Sequence, residues 1–239
     1  MKILGIVTAR GGSKRIPKKS IVEVWGKPSM AYVCDAFKKS RLVNRFIVDT
    51  DDKEMAEVGR QNGAEVAYMR PKELAQDFSS HVDVLKNAVK TLKEKENYEP
   101  DVICLVQPTS PLVKTSHIDD SIKLLLDSGA DSVEGVFSVP KIFHPHNVRL
   151  IGEDGFTKFL FPKKHAEFKK GKKLSPIYAI GTVVTFRPKN LWETNTTQGN
   201  KSKALIIESQ TAIDIDEPID VAIAEAVIKW TNLEGYGRF

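Results

Sequence analysis

An α/β fold with a mostly parallel sheet is predicted by three observations. Apolar strand-like runs alternate with amphipathic stretches through the first half, glycines punctuate two of those stretches, and the first apolar run breaks off into a basic, glycine-containing loop. The expected order is strand 2–8, helix 28–40, strand 45–49, helix 52–62, a short strand at 65–68, helix 80–95, strand 101–106, helix 115–128 and strand 132–137. In the first run Ile3, Leu4, Ile6 and Val7 are apolar and β-favouring, as in a strand covered on both faces. Gly63 and Gly129 stand where C-terminal glycine caps belong. Strand and helix in alternation imply right-handed crossovers, with helices on both faces of the sheet. The rhythm fails between 140 and 176, a stretch with Pro140, Pro145, Pro162, Pro176 and a basic run at 163–173. It reads as an extended arm or hairpin inserted into a single domain spanning 1–239. A long excursion in a compact domain points to a function, here dimerisation, against the plainer reading of a solvated insertion. Strand patterning returns at 180–186 and 204–207, and an amphipathic helix covers 218–230.

The chain has 239 residues, enough to bury a full core. A net charge of +5 is compatible with an anionic ligand, yet 31 acidic residues are dispersed among 36 basic ones, so a nucleic-acid surface is not demanded. Cys34 and Cys104 form neither a disulfide framework nor a metal spacing, which makes a reducing cytoplasm the expectation. Arg10 interrupts the opening apolar run, which therefore reads as a first strand and not a signal peptide. No other stretch is long enough to span a membrane.

Four clusters carry chemistry. In the first, 3–20, Gly11 and Gly12 permit close backbone approach to a ligand, while Arg10, Lys14, Arg15, Lys18 and Lys19 supply charge and Pro17 delays helix formation. The same residues also fit a solvated basic loop; their position after a strand favours phosphate binding. Neither G-x-G-x-x-G nor G-x-x-x-x-G-K-[ST] is present, so dinucleotide and Walker-type loops are excluded. In the second, IDIDEP at 213–218, alternation along a strand would put Asp214 and Asp216 on one face and Ile213 and Ile215 in the core. Two such carboxylates suit Mg²⁺, the alternative being that Asp216 or Glu217 caps the following helix. Asp49 and Asp51 form a competing pair, although Thr50, Asp51 and Asp52 also read as a helix cap. In the third, VQPTSPL at 106–112, two prolines fix a turn from which Gln107, Thr109 and Ser110 offer neutral hydrogen-bonding groups suited to a polyhydroxylated substrate. In the fourth, RPKELAQDFSS at 70–80, Arg70 could reach an anion or a base edge, and Asp77, Ser79 and Ser80 could cap the next helix. His144 and His146 lack a companion ligand at metal spacing. His81, His117 and His165 have no partner visible in the sequence.

Taken in order, A-R-G-G-S-K-x-[IL]-P-x-K, R-P-x-E-L-A-x-D, Q-P-T-S-P-L and D-I-D-x-x-x-D, these clusters resemble the CMP-sialate synthetases, the acylneuraminate cytidylyltransferases, from Lys2 to about Trp230. The resemblance implies a Rossmann-like, three-layer nucleotidyltransferase fold with a dimerisation arm. It implies transfer of CMP from CTP to the anomeric hydroxyl of a 2-keto-3-deoxy nonulosonic acid, with release of pyrophosphate, in a cytoplasmic homodimer. By position it assigns Arg10, Gly11, Gly12, Ser13, Lys14, Lys19, Ser20, Arg70 and Ser80 to the nucleotide, and Gln107 with Thr109 and Ser110 to the acidic sugar. Asp214 and Asp216 are assigned to Mg²⁺, and catalysis to Arg10, Lys14 and the two aspartates. Three positions depart from the family pattern: Ser20 replaces Asn, Val113 and Lys114 follow where Arg is usual, and Ile180 replaces an Asn of the late strand. Loss of that amide leaves legionaminic acid, pseudaminic acid or another acidic acceptor open. A nucleotidyltransferase of the same fold acting on 3-deoxy-manno-octulosonate or a sugar phosphate is the alternative. A non-catalytic nucleic-acid binder is disfavoured, because paired carboxylates repel a phosphate backbone.

Overall fold

A computed structural model describes residues 1–169 and 175–232. Its strands are β1 (Ile3–Ala9), β2 (Glu23–Val24), β3 (Lys27–Pro28), β4 (Arg45–Thr50), β5 (Val102–Val106), β6 (Ser132–Ser138), β7 (Arg149–Ile151), β8 (Thr157–Phe159), β9 (Tyr178–Phe186) and β10 (Ser202–Ile206). Its helices are α1 (Ser29–Lys39), α2 (Lys53–Gln61), α3 (His81–Glu96), α4 (Thr115–Ser128), α5 (Pro162–Lys169), α6 (Asn190–Glu193) and α7 (Pro218–Asn232). The main sheet runs β10-β6-β9-β5-β1-β4, with β9 antiparallel to both neighbours and the other pairings parallel.

Side-chain alternation along the strands creates two cores, one on each face. Ile3, Val7, Cys104 and Val183 pack under Met30, Phe37, Met55 and Ile122 from α1, α2 and α4. Leu4, Ile6, Ile103 and Leu105 pack under Leu85, Val89 and Leu92 of α3 and Leu191 of α6. The result is three layers. A third, smaller cluster joins Ile16 and Val24 to Ile215, Ala224 and Ile228, fixing α7 against the segment that follows β1. Gly5 is required by packing, since a Cβ there would lie 2.7 Å from the Phe37 ring and 2.9 Å from Phe46 Cβ.

The chain order makes β1 a branch point. From β1 the chain crosses through α1 to β4 on one side, and from β4 through α3 to β5 on the other. The C-terminal ends of β1 and β5 therefore open a crevice where the loops diverge in opposite directions.

Several expectations change. The segment 65–68 makes only one bridge, Ile47 with Glu65, and is not a strand. Residues 213–216 are not a strand either; the segment takes part in no sheet, and its Ile215 N–H donates to the Thr109 carbonyl in the turn after β5. Gly63 and Gly129 do adopt the left-handed conformation expected of helix C-terminal glycines. The excursion at 140–176 is more than an extended hairpin: β7 and β8 form the hairpin, and α5 follows, with Pro162 in a first-turn position where its missing N–H is no loss. Part of the basic run, 170–173, lies outside the described residues. Cys34 and Cys104 are buried free thiols, each pushed up to about 12 by burial. Among the described residues no helix is long and apolar enough to cross a membrane.

Candidate active site

The loops that leave β1, β4 and β5 meet at the branch point. Thr8, Arg10, Lys19, Ser20, Arg70 and Gln107 line a cleft of about 250 Å³, together with residues of the 74–84 segment and Thr109. A contiguous pocket adds Ser13, Lys14 and Arg15. Sequence positions separated by nearly a hundred residues thus share one concave surface rich in cations.

Within this surface every cation with a resolved contact has found an internal anion. Arg10 Nη1 donates to Asp77 Oδ1 at 2.8 Å, and Lys14 Nζ lies 2.5 Å from Asp77 Oδ2. These two cations, Lys14 foremost, hold the Asp77 carboxyl below its ordinary range. Asp77 is therefore not the cap of α3; its carboxylate neutralises the two cations of the basic loop. Lys19 Nζ donates to Asp216 Oδ1 at 2.6 Å, and Arg15 Nη1 to Glu217 Oε1 at 3.0 Å. The Lys19 hydrogen bond lowers the Asp216 pKa.

The carboxylates of the 213–218 segment are held from the third cluster. Ile215 is fully buried, and its N–H donates to Thr109 O at 2.9 Å. The Thr109 hydroxyl donates to Asp214 Oδ1. Asp214 keeps an exposed edge, but desolvation of its carboxyl, reinforced by the nearby Asp216 charge, raises its pKa. Helix capping is done by neither Asp216 nor Glu217: Asp220 Oδ2 accepts from both of their N–H groups, at 2.9 and 2.8 Å. The Asp216 carboxylate is thereby spared helix capping and takes Lys19 as its partner. Two adjacent hard-oxygen donors that repel each other, one of them drawing an ammonium group, fit a small divalent cation that completes its shell with water and phosphate oxygens. Among the described residues no group of three or more potential metal-binding side chains is assembled.

Other assigned residues take different positions. Gly11 donates its N–H to Asp51 Oδ1 at 3.0 Å, so that amide serves the loop itself; Gly12 has open space around it. Asp52 caps α2 by accepting from Glu54 and Met55 N–H groups. Asp49 is fully buried and binds Arg70, whose Nε donates to Asp49 Oδ1 at 3.1 Å and Nη2 to Asp49 O at 2.8 Å. Burial raises the Asp49 pKa and the Arg70 charge opposes that rise. Arg70 therefore lines the cleft with two of its N–H groups committed to Asp49. Ser80 sits at the N-cap of α3, exposed and without a capping bond, outside the lining residues; Ser79 lines the cleft instead. Ser110 is buried and does not line the cleft, and Thr109 is bound to Asp214, so neither is presented as a sugar-binding hydroxyl. Ile180 is 59% exposed, on the part of β9 that runs past the end of β5.

The histidines gain partners that sequence did not show. His81 Nε2 pairs with Thr8 Oγ1 at 2.9 Å in the cleft, where desolvation and the Arg70 charge lower its pKa. His117 Nδ1 accepts from Lys114 N–H, which leaves Nε2 to donate to Glu208 at 3.0 Å. His144 and His146 pack edge to face, with His144 turned to the Ser175 carbonyl, and His165 contacts the His146 carbonyl. Thr8 and His81 were signalled only weakly in sequence, Thr8 as a polar residue near the end of an apolar strand.

A three-layer sheet with a cationic loop and an acidic pair at its branch point defines a nucleotidyltransferase. The chain belongs to the cytidylyltransferase family, whose pattern, described as "Cytidylyltransferase", matches residues 4–174. It is 31% identical over 234 residues to the CMP-N,N'-diacetyllegionaminic acid synthase of Legionella pneumophila, covering 96% of this chain and 97% of that protein. Identity is 26% over 230 residues to the pseudaminic acid cytidylyltransferase of Campylobacter jejuni, covering 96% and 97%. It is 26% over 231 residues to the N-acylneuraminate cytidylyltransferase of Escherichia coli O18:K1:H7, covering 97% of this chain and 53% of that protein. The fold is also that of a solved CMP:2-keto-3-deoxy-manno-octonic acid synthetase complexed with CTP, with a TM-score of 0.72, 15% identity, and coverage of 96% and 99%.

Proposed function

We propose that the protein transfers CMP from CTP to the anomeric hydroxyl of a nonulosonic acid, releasing pyrophosphate. The observation that carries this reading is the meeting of Arg10, Lys14 and Lys19 with the Asp214 and Asp216 segment at one sheet branch point. The acceptor hydroxyl attacks the α-phosphorus of CTP, its proton leaves to solvent or a base, and the bond to the β-phosphate oxygen breaks. Arg10, Ser13 and Lys14 bind and orient the phosphates and stabilise charge developing on pyrophosphate. Lys19 is positioned to pass from Asp216 to a phosphate oxygen. Asp214 and Asp216 would hold Mg²⁺, which supplies further charge neutralisation when bound. Gln107, on the cleft wall, is left to meet the acceptor.

Pyrophosphate release with each nucleoside triphosphate, against a panel of 2-keto-3-deoxy sugar acids and with or without Mg²⁺, tests the reading. Turnover is expected with CTP alone and only with Mg²⁺; turnover with another triphosphate and none with CTP would refute it. Asp216→Asn should lower turnover roughly 100-fold while the far-UV dichroism stays native. The exposed Ile180 favours an acceptor with an apolar substituent over N-acetylneuraminate, so Ile180→Asn should shift the preference among sugar acids. A homodimer is part of the same proposal. The excursion exposes Ile142, Phe143, Ile151 and Phe156, a set of apolar groups that a second copy would cover, and sedimentation is expected to give twice the monomer mass.

A further inference from the structure

We infer that Thr109 is a positioning residue for the metal-binding carboxylate Asp214, and not part of the acceptor pocket. Thr109 is buried at the C-terminal edge of the sheet and grips the acidic segment twice, through its carbonyl to the Ile215 N–H at 2.9 Å and through its hydroxyl to Asp214 Oδ1. The segment 212–217 belongs to no strand, so its placement depends on such side contacts. Ile215 anchors it below, in the small apolar cluster with Ile16 and Val24. The hydroxyl then fixes which Asp214 oxygen is engaged and which remains for a cation. A hydroxyl has one proton to give, and here it is given to the carboxylate; that engages one oxygen and orients the other, as outer partners of metal ligands do.

The grip reaches further. Ser29, fully buried at the start of α1, has its hydroxyl 2.9 Å from Pro108 O and 3.0 Å from Ser20 O. One proton serves only one of these carbonyls at a time, so Ser29 lies between the turn that carries Thr109 and the basic loop, while Thr109 itself ties the turn to Asp214. This inference rests on the proposed reaction only for the identity of the cation.

The test is Mn²⁺ binding followed by electron paramagnetic resonance on the intact protein, with Mn²⁺ alone and no nucleotide. Thr109→Val keeps the shape and the backbone carbonyl but removes the hydroxyl, and should weaken Mn²⁺ binding by about 10-fold or more. Thr109→Ser restores the donor and should return the affinity to the wild-type value. Thermal unfolding of all three proteins is measured alongside, so that a folding defect is separated from a binding defect. Wild-type affinity in a folded Thr109→Val protein would overturn the inference, as would a Thr109→Ser protein no better than Thr109→Val. Because CTP is absent, this result stands apart from the assay of the cytidylyl reaction, which can fail while Thr109 still orients Asp214.

Discussion

Asp77 shows how one side chain can carry two readings. Its place before a helix reads as a cap, because a capping carboxylate and a phosphate substitute are the same chemical group. Only the tertiary contact across 67 residues, from Asp77 to Arg10, distinguishes them. The carboxylate competes with any anion for Arg10 and Lys14, so Asp77→Asn should tighten binding of inorganic pyrophosphate several-fold and steepen its salt dependence, as measured by titration calorimetry. Weaker binding in that variant would instead give Asp77 a direct part in holding the ligand. Gly5 makes a packing prediction at the same scale. Adding a methyl against Phe37 and Phe46 should cost about 1–3 kcal/mol, read as a lower denaturant midpoint for Gly5→Ala with an unchanged slope.

At the scale of elements, the segment after β10 is tied to the N-terminus of α4 by Glu208, which accepts from Lys114 Nζ at 2.6 Å and from His117. The Lys114 hydrogen bond, helped by the Glu208 backbone and His117, holds the Glu208 carboxyl down at about 2, against an ordinary value of 4.5. The unfolded chain therefore binds the proton first as pH falls, so this contribution is present above about 4.5 and is lost on descending towards 2. Glu208→Gln should melt below wild type at pH 7, and the difference should vanish near the acid end of that window in a thermal series. The strands and most helices were legible because apolar periodicity belongs to the local chain: β1, β4, β5, α3 and α4 lie within a residue or two of expectation. Helix α5 was not, since its single proline and its lysines resemble an arm and its sequence presents little apolar face. The acidic pair was legible in residue type but not in cause. Asp214 and Asp216 were selected by an assumed strand alternation, whereas the structure holds them by Thr109 and Lys19, contacts that span 105 and 197 residues.

For the whole molecule, the excursion leaves from β6 and returns through its antiparallel neighbour β9: Ser138 faces Tyr178, and the Val139 N–H donates to Ile177 O at 3.0 Å. Its two ends are already hydrogen-bonded, so replacing 141–175 by a short Asn-Gly turn should leave the sheet intact and yield a folded monomer, seen by dichroism and sedimentation. A dimer from the shortened chain would move the interface elsewhere. The central place of β9 also has a temporal side. It enters between β5 and β6, two strands completed some forty to seventy residues earlier in synthesis. A nascent chain that has reached only 177 holds β5 with one unpaired edge and β6 with both edges unpaired, since β10 also lies further on, a template for association with other incomplete chains. Synthesis of β9 thus closes the middle of the sheet, and polypeptides released before Phe186 are expected in the insoluble fraction while those that extend past β10 are not.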